Sequence, residues 1–237
     1  MTQQLIGKMR AAVERYNMIE KGDCVAVGVS GGKDSLFLLY GLSKLSEYYP
    51  ETFKVKALTV DPCFNNEQTD YSKIQDFCNE LGIELIIKRS ELSKIIFEDR
   101  NEKSPCSLCA RMRRGILHNM AKENGCNRIA LGHHYDDAVE TFFMNILNGG
   151  TISCFSPKSY LSIKDLWLIR PMIFIEEKEI VQISRKLSLP ISKSKCPVDG
   201  KTERQSTKEL ISDLSKKYPD LKAKVMGAMQ RGEISGW

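Results

Sequence analysis

Short apolar runs alternate with longer segments of helical period along this chain, and this alternation predicts the fold. Runs typical of buried strands occur at four places, residues 25–29, 53–60, 83–87 and 128–131. Segments with apolar residues at helical spacing separate or follow them, at residues 36–42, 71–81, 106–125 and 138–147. Because strands that alternate with helices form parallel sheets with right-handed crossovers, we predict an α/β protein with a doubly wound, mostly parallel, Rossmann-like sheet.

The two ends of the chain are predicted to be helical extensions of this sheet. Residues 3–20 have the spacing of an amphipathic N-terminal helix. The pattern changes after the glycines at 149 and 150, and residues 151–170 are expected to form a loop or an irregular hairpin. Helices are predicted at 178–187, 203–217 and 221–229, with an extended segment at 190–197. We therefore divide the chain into residues 1–150 and a C-terminal extension, residues 151–237, that completes the edge of the sheet.

Composition narrows the class of protein but does not define its function. The chain has 237 residues, a net charge of +5 and eight cysteines. It contains no apolar run of 18 residues and no secretory signal, so we expect a cytoplasmic protein with no membrane partner. The excess of positive charge is compatible with an RNA partner but does not require one. Cytosolic cysteines stay reduced, so the cysteines of interest are candidate metal ligands or nucleophiles.

The first candidate site is the turn that follows the first predicted strand. Its sequence is SGGKDS, residues 30–35, and it leads directly into a helix. Two adjacent glycines let the backbone turn sharply and bring its N–H groups close to a ligand. The positive end of the helix and the charge of Lys33 are directed to the same place. The turn is therefore predicted to bind phosphate, in preference to a strand-to-helix turn that binds nothing.

Two more polar positions follow predicted strands. Asp61 ends the second strand, and the turn GHHYDD, residues 132–137, follows the fourth. Ligands of doubly wound sheets bind at the carboxyl ends of the strands, so these positions and the SGGKDS turn are expected on one face. Asp136 and Asp137 suit Mg²⁺ or a reacting group, and they equally suit capping of the next helix. Each histidine of the turn either contacts a nucleotide or is a packed, hydrogen-bonded side chain.

A C-x-x-C pair begins the long helix at 106–125. A helix N-terminus favours the thiolate form of Cys106 and Cys109, and Cys196, far downstream, is a candidate third ligand. Three cysteines suit an iron–sulfur cluster with one open iron, whereas a zinc site would need a fourth ligand. Cys196 is otherwise an ordinary buried thiol. The remaining cysteines have no such company and are predicted to be packing thiols: Cys24, Cys63, Cys78, Cys126 and Cys154.

Basic residues follow both cysteine elements. They are Arg111, Arg113 and Arg114 after the pair, and Lys201, Arg204 and Lys208 after Cys196. Arginine and lysine next to a phosphate-binding face suit an RNA backbone or ATP phosphates. A run of charge on a helix is more often a solvated face, but the position of these residues beside the cysteines favours a functional role.

Several motifs together resemble one family. SGGKDS resembles the PP-loop of the ATP-pyrophosphatase superfamily, and LGHHYDD its second motif. PCSLCARMRRGIL and LIRPMIFIEEKEI resemble the tRNA 2-thiocytidine synthetase family, and the likeness extends over most of the chain. The chain departs from the family pattern at residues 62–65 and around Cys196, where another cysteine is expected close by. The resemblance implies an adenine nucleotide alpha hydrolase-like fold, with residues 1–150 as its ATP-binding domain.

The resemblance also implies an activity, in which ATP adenylates the C2 oxygen of a cytidine at position 32 of a tRNA and sulfur then replaces that oxygen. The implied cofactors are ATP, Mg²⁺ and a [4Fe–4S] cluster, and the implied partners are tRNA and a sulfur donor, either a cysteine desulfurase or sulfide. By position in the motifs, the cluster ligands are Cys106, Cys109 and Cys196, and the catalytic residues are Asp34, Arg113 and Asp137. The nucleotide-binding residues are Ser30, Gly31, Gly32, Lys33, Asp34, Ser35, Asp61, Gly132 and His133.

Two other hypotheses remain open from the sequence. One is a sister thiolase that acts on uridine or on a small molecule, since such families share the phosphate-binding turn and often the cysteines. The other is a non-catalytic sensor that binds nucleotide and holds an iron–sulfur cluster or zinc. The intact Lys33, Asp34 and Asp137 weigh against the sensor. The sequence is compatible with a homodimer and does not determine the oligomeric state.

Overall fold

The computed structural model describes residues 1–64, 67–99, 105–192 and 203–237. A single six-stranded sheet organises these residues, in the order β3-β2-β1-β4-β6-β5. Every neighbouring pair is parallel except β5 and β6, which are antiparallel. The strands are β1 (Cys24–Gly28), β2 (Lys54–Asp61), β3 (Leu85–Arg89), β4 (Arg128–Ala130), β5 (Lys158–Leu161) and β6 (Leu166–Ile169). The prediction of a doubly wound, mostly parallel sheet is confirmed.

Helices cover both faces of the sheet. They are α1 (Thr2–Arg15), α2 (Lys33–Ser46), α3 (Ser72–Glu80), α4 (Pro105–Glu123), α5 (Tyr135–Gly149), α6 (Glu177–Lys186), α7 (Glu203–Lys217) and α8 (Leu221–Arg231). A π-helical turn at Lys94–Asp99 and a 3-10 turn at Ile234–Gly236 complete the described elements. In the described part of the chain, no helix is both long enough and apolar enough to cross a membrane.

Two apolar layers, one on each side of the sheet, form the core. The larger layer contains the buried faces of α1, α2 and α6, and the smaller lies under α4. As the helical spacing predicts, α4 packs its apolar residues inward, namely Leu108, Met112, Ile116, Leu117 and Met120. Apolar layers on both faces explain why the central strands are almost continuously hydrophobic.

Residues 151–170 form a hairpin, and its second strand enters the main sheet. β5 and β6 are antiparallel partners, and β6 pairs in parallel with β4, with Ile129 opposite Leu168. The extension after residue 150 therefore supplies one edge of the sheet. The division of the chain at that residue stays a prediction. The extended segment predicted at 190–197 falls mostly outside the described residues.

An ion pair ties the amino ends of the central strands together. The guanidinium Nε of Arg128, on β4, donates to Asp23 Oδ2 at 2.7 Å, and both side chains are almost fully buried. Asn127 donates its amide N–H to the other oxygen of Asp23 at 2.7 Å. The amino edge of the sheet is thus closed by polar contacts, while the carboxyl edge carries the candidate site.

Candidate active site

The SGGKDS turn forms a compact loop between β1 and α2. The backbone N–H of Ser30 donates to the hydroxyl of Ser35 at 3.1 Å, and that hydroxyl donates to the carbonyl of Gly32 at 3.0 Å. Gly31 has a φ of +84°, a conformation that favours glycine. Its carbonyl accepts the N–H of Ser192 at 3.0 Å. Ser30 and Ser35 therefore fix the loop from inside, as the phosphate-binding hypothesis requires.

The beginning of α2 is open towards a ligand. Gly32 is its N-cap residue and provides no side-chain cap, so the first N–H groups of the helix lack the usual capping partner. Lys33 begins the helix, with its Nζ 3.1 Å from Asp34 Oδ2. Asp34 Oδ1 is buried and has no hydrogen-bond partner among the described residues. Free N–H groups beside a lysine and an unpartnered carboxylate oxygen suit a phosphate and its Mg²⁺ ion.

The GHHYDD turn lies directly against this loop, as predicted from the strand order. A β-carbon on Gly132 would lie 3.2 Å from both the carbonyl carbon of Asp34 and the nitrogen of Ser35. The imidazole Nε2 of His134 lies 3.9 Å from Asp34 Oδ1 and 3.4 Å from Asp137 Oδ2. The absence of a side chain at Gly132 therefore allows the two motifs to lie this close together.

The two aspartates of this turn have different partners. Asp136 is buried, and its carboxylate accepts the backbone N–H of Glu177 at 2.6 Å and the ammonium of Lys222 at 2.5 Å. These contacts hold the pKa of Asp136 below its ordinary value, although burial alone would raise it. Asp137 instead lies beside His134. Asp136 thus has a structural role, and the catalytic role of Asp137 stays a prediction.

The N-cap of α5 is His134, and Asp137 takes part in the cap from the third helical position, so the capping role suggested for the aspartates is found at Asp137. His134 Nδ1 accepts the backbone N–H of Asp137 at 3.3 Å, and Asp137 Oδ2 accepts the backbone N–H of His134 at 2.9 Å. This reciprocal pair is a capping box with unusual residue types. His134 is consequently a packed, hydrogen-bonded side chain, which was one of the two sequence hypotheses.

Helix α7 places a cation on the same cluster. Arg204 Nη1 lies 3.3 Å from Asp137 Oδ1, and its Nε lies 3.7 Å from Glu140 Oε2. Burial and the neighbouring Asp137 raise the pKa of Glu140 to about 7, although Arg204 and Lys208 oppose the shift. Of the basic residues predicted after Cys196, Arg204 and Lys208 therefore reach the site, and Lys201 lies outside the described residues.

Glu177, which the sequence analysis missed, contacts the phosphate-binding lysine. Its Oε1 lies 3.2 Å from Lys33 Nζ, and its Oε2 accepts from Lys208 Nζ at 2.5 Å. Burial would raise the pKa of Glu177, but the hydrogen bonds from Lys208 and Lys33 lower it to about 2. The residue stands in EEKEI, which has the composition of an exposed helix start and gives no local signal of this contact.

His133 faces a different group of side chains. Its ring lies 5.0 Å from that of Phe155, and the guanidinium of Arg170 lies 4.8 Å from the same Phe155 ring. His133 Nδ1 has no hydrogen-bond partner among the described residues. Burial, together with the charge of Arg170, lowers the pKa of His133 to about 4, so the imidazole is neutral near pH 7. The prediction that His133 contacts a nucleotide stays a prediction.

A cavity of about 250 Å³ lies beside the loop, between the carboxyl ends of β1 and β2 and helix α4. Its walls combine apolar side chains with two arginines and the start of the phosphate-binding loop. The lining residues include Gly28, Ser30, Leu58, Arg113, Arg114 and Leu131. An apolar cavity that opens next to a phosphate cradle suits the base and sugar of a nucleotide.

The cysteine pair lies on the first turn of α4, as predicted. Cys106 is exposed, Cys109 is half-buried, and the spacing of residues 106, 109 and 113 places the two thiols and Arg113 on one face of the helix. Cys196 lies outside the described residues. Within the described ranges, no group of three or more potential ligands is arranged to hold a metal ion. Two thiols on one face fit a thiolate-bound cluster as far as the described chain extends.

Asp61 and Arg111 are the other predicted residues. The carboxylate of Asp61 accepts the N–H of Cys63 at 3.1 Å and the N–H and hydroxyl of Thr69 at 2.9 and 3.0 Å, so it stabilises the loop that follows β2. Arg111 is exposed on α4. The role of Asp61 in nucleotide binding stays a prediction.

Comparisons with known proteins identify the family of this chain. Residues 1–209 match the model of a PP-loop domain family. The chain is 38% identical over 229 residues to a tRNA-cytidine(32) 2-sulfurtransferase of Syntrophotalea carbinolica, covering 95% of this chain and 86% of the relative. A tRNA-cytidine(32) 2-sulfurtransferase of Dechloromonas aromatica is also 38% identical over 228 residues, covering 95% of this chain and 79% of that relative.

Solved structures show the same fold. The U34-tRNA thiolase NcsA from Methanococcus maripaludis, solved with its [4Fe–4S] cluster, superposes with a TM-score of 0.78 at 26% identity, covering 97% of this chain and 79% of the thiolase. An NH3-dependent NAD synthetase from Campylobacter jejuni, at 18% identity and a TM-score of 0.51, covers 100% of this chain and 96% of its own and shares the fold. On the family match and the long, 38%-identical relatives, the chain belongs to the tRNA-cytidine(32) 2-sulfurtransferase family of PP-loop proteins.

Proposed function

We propose that this protein is an ATP-dependent tRNA sulfurtransferase that converts cytidine 32 of a tRNA to 2-thiocytidine. The observation that carries the proposal is the close packing of two motifs: a PP-loop whose helix has no side-chain cap lies so near the turn that presents Asp137 that a β-carbon on Gly132 would be 3.2 Å from the loop backbone. Helix α4, with Cys106, Cys109 and Arg113 on one face, lines the adjoining cavity. Nucleotide activation and sulfur transfer can therefore take place in one crevice.

Binding of ATP follows from the shape and charge of the loop. The N–H groups of residues 30–35 and the ammonium of Lys33 bind the β- and γ-phosphates, while the cavity beside α4 receives the adenosine. Among the described residues, one carboxylate oxygen of Asp34 has no hydrogen-bond partner, and the carboxylates of Asp34 and Asp137 both lie within 4 Å of His134 Nε2. These two carboxylates would hold a Mg²⁺ ion, which would supply positive charge beside the phosphates.

The first chemical step forms one bond and breaks one. The C2 oxygen of cytidine attacks the α-phosphorus of ATP, the bond from that phosphorus to the bridging oxygen breaks, and pyrophosphate leaves with the electron pair. Lys33 and the loop N–H groups stabilise the negative charge that develops on pyrophosphate. The base then carries AMP, a far better leaving group than oxide. Because both substrates are bound in one site, the attack becomes effectively intramolecular.

The cysteines fit the second step. Cys106 and Cys109 lie on the same face of α4 as Arg113, which lines the cavity, and would supply two thiolates; the resemblance assigns the third to Cys196. A [4Fe–4S] cluster held by these three cysteines would supply sulfide-level sulfur: a C2–S bond forms, the C2–O bond breaks, and the oxygen leaves with AMP. Ser192, four residues before Cys196 in the sequence, donates its N–H to Gly31 of the PP-loop. The sulfur donor in this proposal is a cysteine desulfurase or sulfide.

Uridine is the second candidate substrate, because the thiolase NcsA from Methanococcus maripaludis is a U34-tRNA enzyme with a similar fold. The cytidine enzymes are closer in sequence, at 38% identity over 95% of the chain, compared with 26% for the uridine enzyme. Cytidine is therefore the first choice. The distinction depends on the pocket for the base rather than on the ATP site, which both groups of enzymes need.

Mass spectrometry of tRNA nucleosides from a deletion strain tests the proposal. We expect 2-thiocytidine to disappear and to return with the wild-type gene but not with Cys106→Ala. Loss of a 2-thiouridine with 2-thiocytidine unchanged would contradict the cytidine assignment. Purified protein with a cluster that releases no pyrophosphate from ATP in the presence of tRNA would contradict the enzyme and favour a sensor.

A further inference from the structure

Glu177 joins the phosphate-binding lysine to the C-terminal helices. Lys33 Nζ lies between two carboxylates, 3.1 Å from Asp34 Oδ2 and 3.2 Å from Glu177 Oε1. Asp34 belongs to the same loop as the lysine, whereas Glu177 is the first residue of α6. The lysine is therefore held from two directions, and only one of them is local in the sequence.

The carboxylate of Glu177 is itself fixed at a defined position. Glu177 Oε2 accepts from Lys208 Nζ of α7 at 2.5 Å. The backbone N–H of Glu177 donates to the carboxylate of the buried Asp136 at 2.6 Å. A carboxylate held at the backbone and by a second cation cannot follow Lys33 to other positions. The ammonium must instead come to the carboxylate, so Glu177 sets where the lysine is directed.

We propose that Glu177 is a positioning residue that directs Lys33 towards the β- and γ-phosphates of ATP. Without it, the only carboxylate within 4 Å of Lys33 in the described chain is Asp34, its neighbour, and a Lys33–Asp34 pair would compete with both the phosphates and the Mg²⁺ ion. The same carboxylate repels phosphate through its charge. Positioning of Lys33 outweighs this repulsion, so Glu177 should have a net favourable effect on ATP affinity, and the sign of that effect can be measured. It rests on the proposed use of ATP and not on the identity of the nucleobase.

Calorimetric titration of the cluster-free, full-length protein with three probes, ATP, inorganic pyrophosphate and AMP, each with Mg²⁺, tests the proposal. We expect Glu177→Ala to weaken ATP and pyrophosphate about tenfold, the size of one hydrogen bond to a charged group. AMP lacks the β- and γ-phosphates and should bind as it does to the wild type. Glu177→Gln keeps an oxygen that accepts from Lys33 and should restore most of the affinity. A merely structural role would weaken all three probes together.

Glu179 provides the matched control on the same helix. Its carboxylate binds Lys8 of α1, with both oxygens at 2.7 Å, and caps the start of α6 through the N–H of Glu176. Glu179→Gln keeps an acceptor for the cap and should leave the affinity for all three probes unchanged. Wild-type affinity for ATP in Glu177→Ala, or tighter binding, would overturn the proposal. Because no probe contains RNA, the result stands even if the protein does not modify cytidine.

Discussion

Gly132 leaves no room for a side chain against the backbone of Asp34: a β-carbon at position 132 would lie 3.2 Å from the carbonyl carbon of Asp34 and 3.3 Å from its carbonyl oxygen. The atoms on the other side belong to the first turn of α2, so they cannot give way as a flexible side chain would. The glycine therefore allows the PP-loop and the GHHYDD turn to approach each other closely. Nucleotide binding depends on that distance if the two motifs share one Mg²⁺ ion.

Gly132→Ala should therefore weaken ATP binding. The methyl group must displace the PP-loop backbone, and overpacking of this kind costs about 1–3 kcal/mol. We expect an increase in the ATP dissociation constant of at least about tenfold, measured by calorimetry. Gly7→Ala is the control and should bind ATP normally, because a β-carbon at this helical position would have no atom within 4 Å. Unchanged affinity in Gly132→Ala would show that the spacing of the motifs is not critical.

Glu140 should make the stability of the protein depend on pH. Burial and Asp137 raise its pKa from 4.5 to about 7 in the folded state, so the unfolded state loses the proton first as pH rises. Below about pH 4.5 the carboxyl is protonated in both states and carries no penalty. Between about pH 4.5 and 7 the penalty grows, and above about pH 7 it is complete.

Glu140→Gln removes this penalty and keeps the shape of the side chain. In urea unfolding, the variant should gain stability relative to the wild type at pH 8 and show little gain at pH 4.5. A difference between the two proteins that does not change with pH would contradict the raised pKa. Asp136, Asp137, Arg204 and Lys208 also influence this carboxyl, so the comparison is made in one buffer at constant ionic strength.

The thiols should differ strongly in reactivity in reduced, cluster-free protein. Cys106 is exposed, whereas burial raises the pKa of Cys78 and Cys154 to about 11 and that of Cys126 to about 12. The thiolate is the reactive form, so iodoacetamide at pH 8 should label Cys106 first and these three last, as read by peptide mass spectrometry. In protein that holds a cluster, Cys106 and Cys109 should both be protected. Equal labelling of Cys106 with and without the cluster would argue that it is not a ligand.

The Arg128–Asp23 pair should support stability without affecting the site. Both side chains are almost fully buried, and removal of Asp23 leaves the Arg128 guanidinium with the exposed carboxylate of Glu20, 3.1 Å from its Nη2. Asp23→Ala should lower the free energy of unfolding by about 1–3 kcal/mol, measured in urea, because buried donors of Arg128 lose their acceptor. ATP affinity should stay at the wild-type value at temperatures where the variant is folded, because the pair lies at the opposite edge of the sheet. A loss below about 1 kcal/mol would indicate that Glu20 compensates the charge of the remaining arginine.

Features that depend on local sequence could be predicted well. The glycines and serines of SGGKDS predict a phosphate-binding turn because residues within the loop make most of its hydrogen bonds, from Ser30 to Ser35 and from Ser35 to Gly32. The apolar face of α4 was predicted correctly because five residues at helical spacing all point to one layer. The clustering of the site at the carboxyl edge follows from strand order alone.

Features that depend on distant contacts could not be predicted. Glu177 reaches Lys33 only because Asp136 fixes the start of α6, and no local pattern encodes that contact. His134 caps α5 because its extended backbone places Nδ1 at the N–H of Asp137, a geometry in which the more usual aspartate becomes the reciprocal partner. The second strand of the 158–169 hairpin, β6, gains a parallel partner in β4, which lies earlier in the chain.

The pairing of β6 with β4 also determines how the protein responds to cleavage and how it unfolds. Residues after 150 supply the strand that pairs with β4. They also supply both partners of the buried Asp136 carboxylate, the backbone N–H of Glu177 and the ammonium of Lys222. Neither half of the chain can therefore bury its own core without the other. Cleavage in the exposed connection at residues 149–152 would leave two fragments that stay associated rather than two that separate. ATP binding and the sheet should then be lost in one cooperative unfolding transition, because the loops of the nucleotide site are held in place by the strands of the sheet.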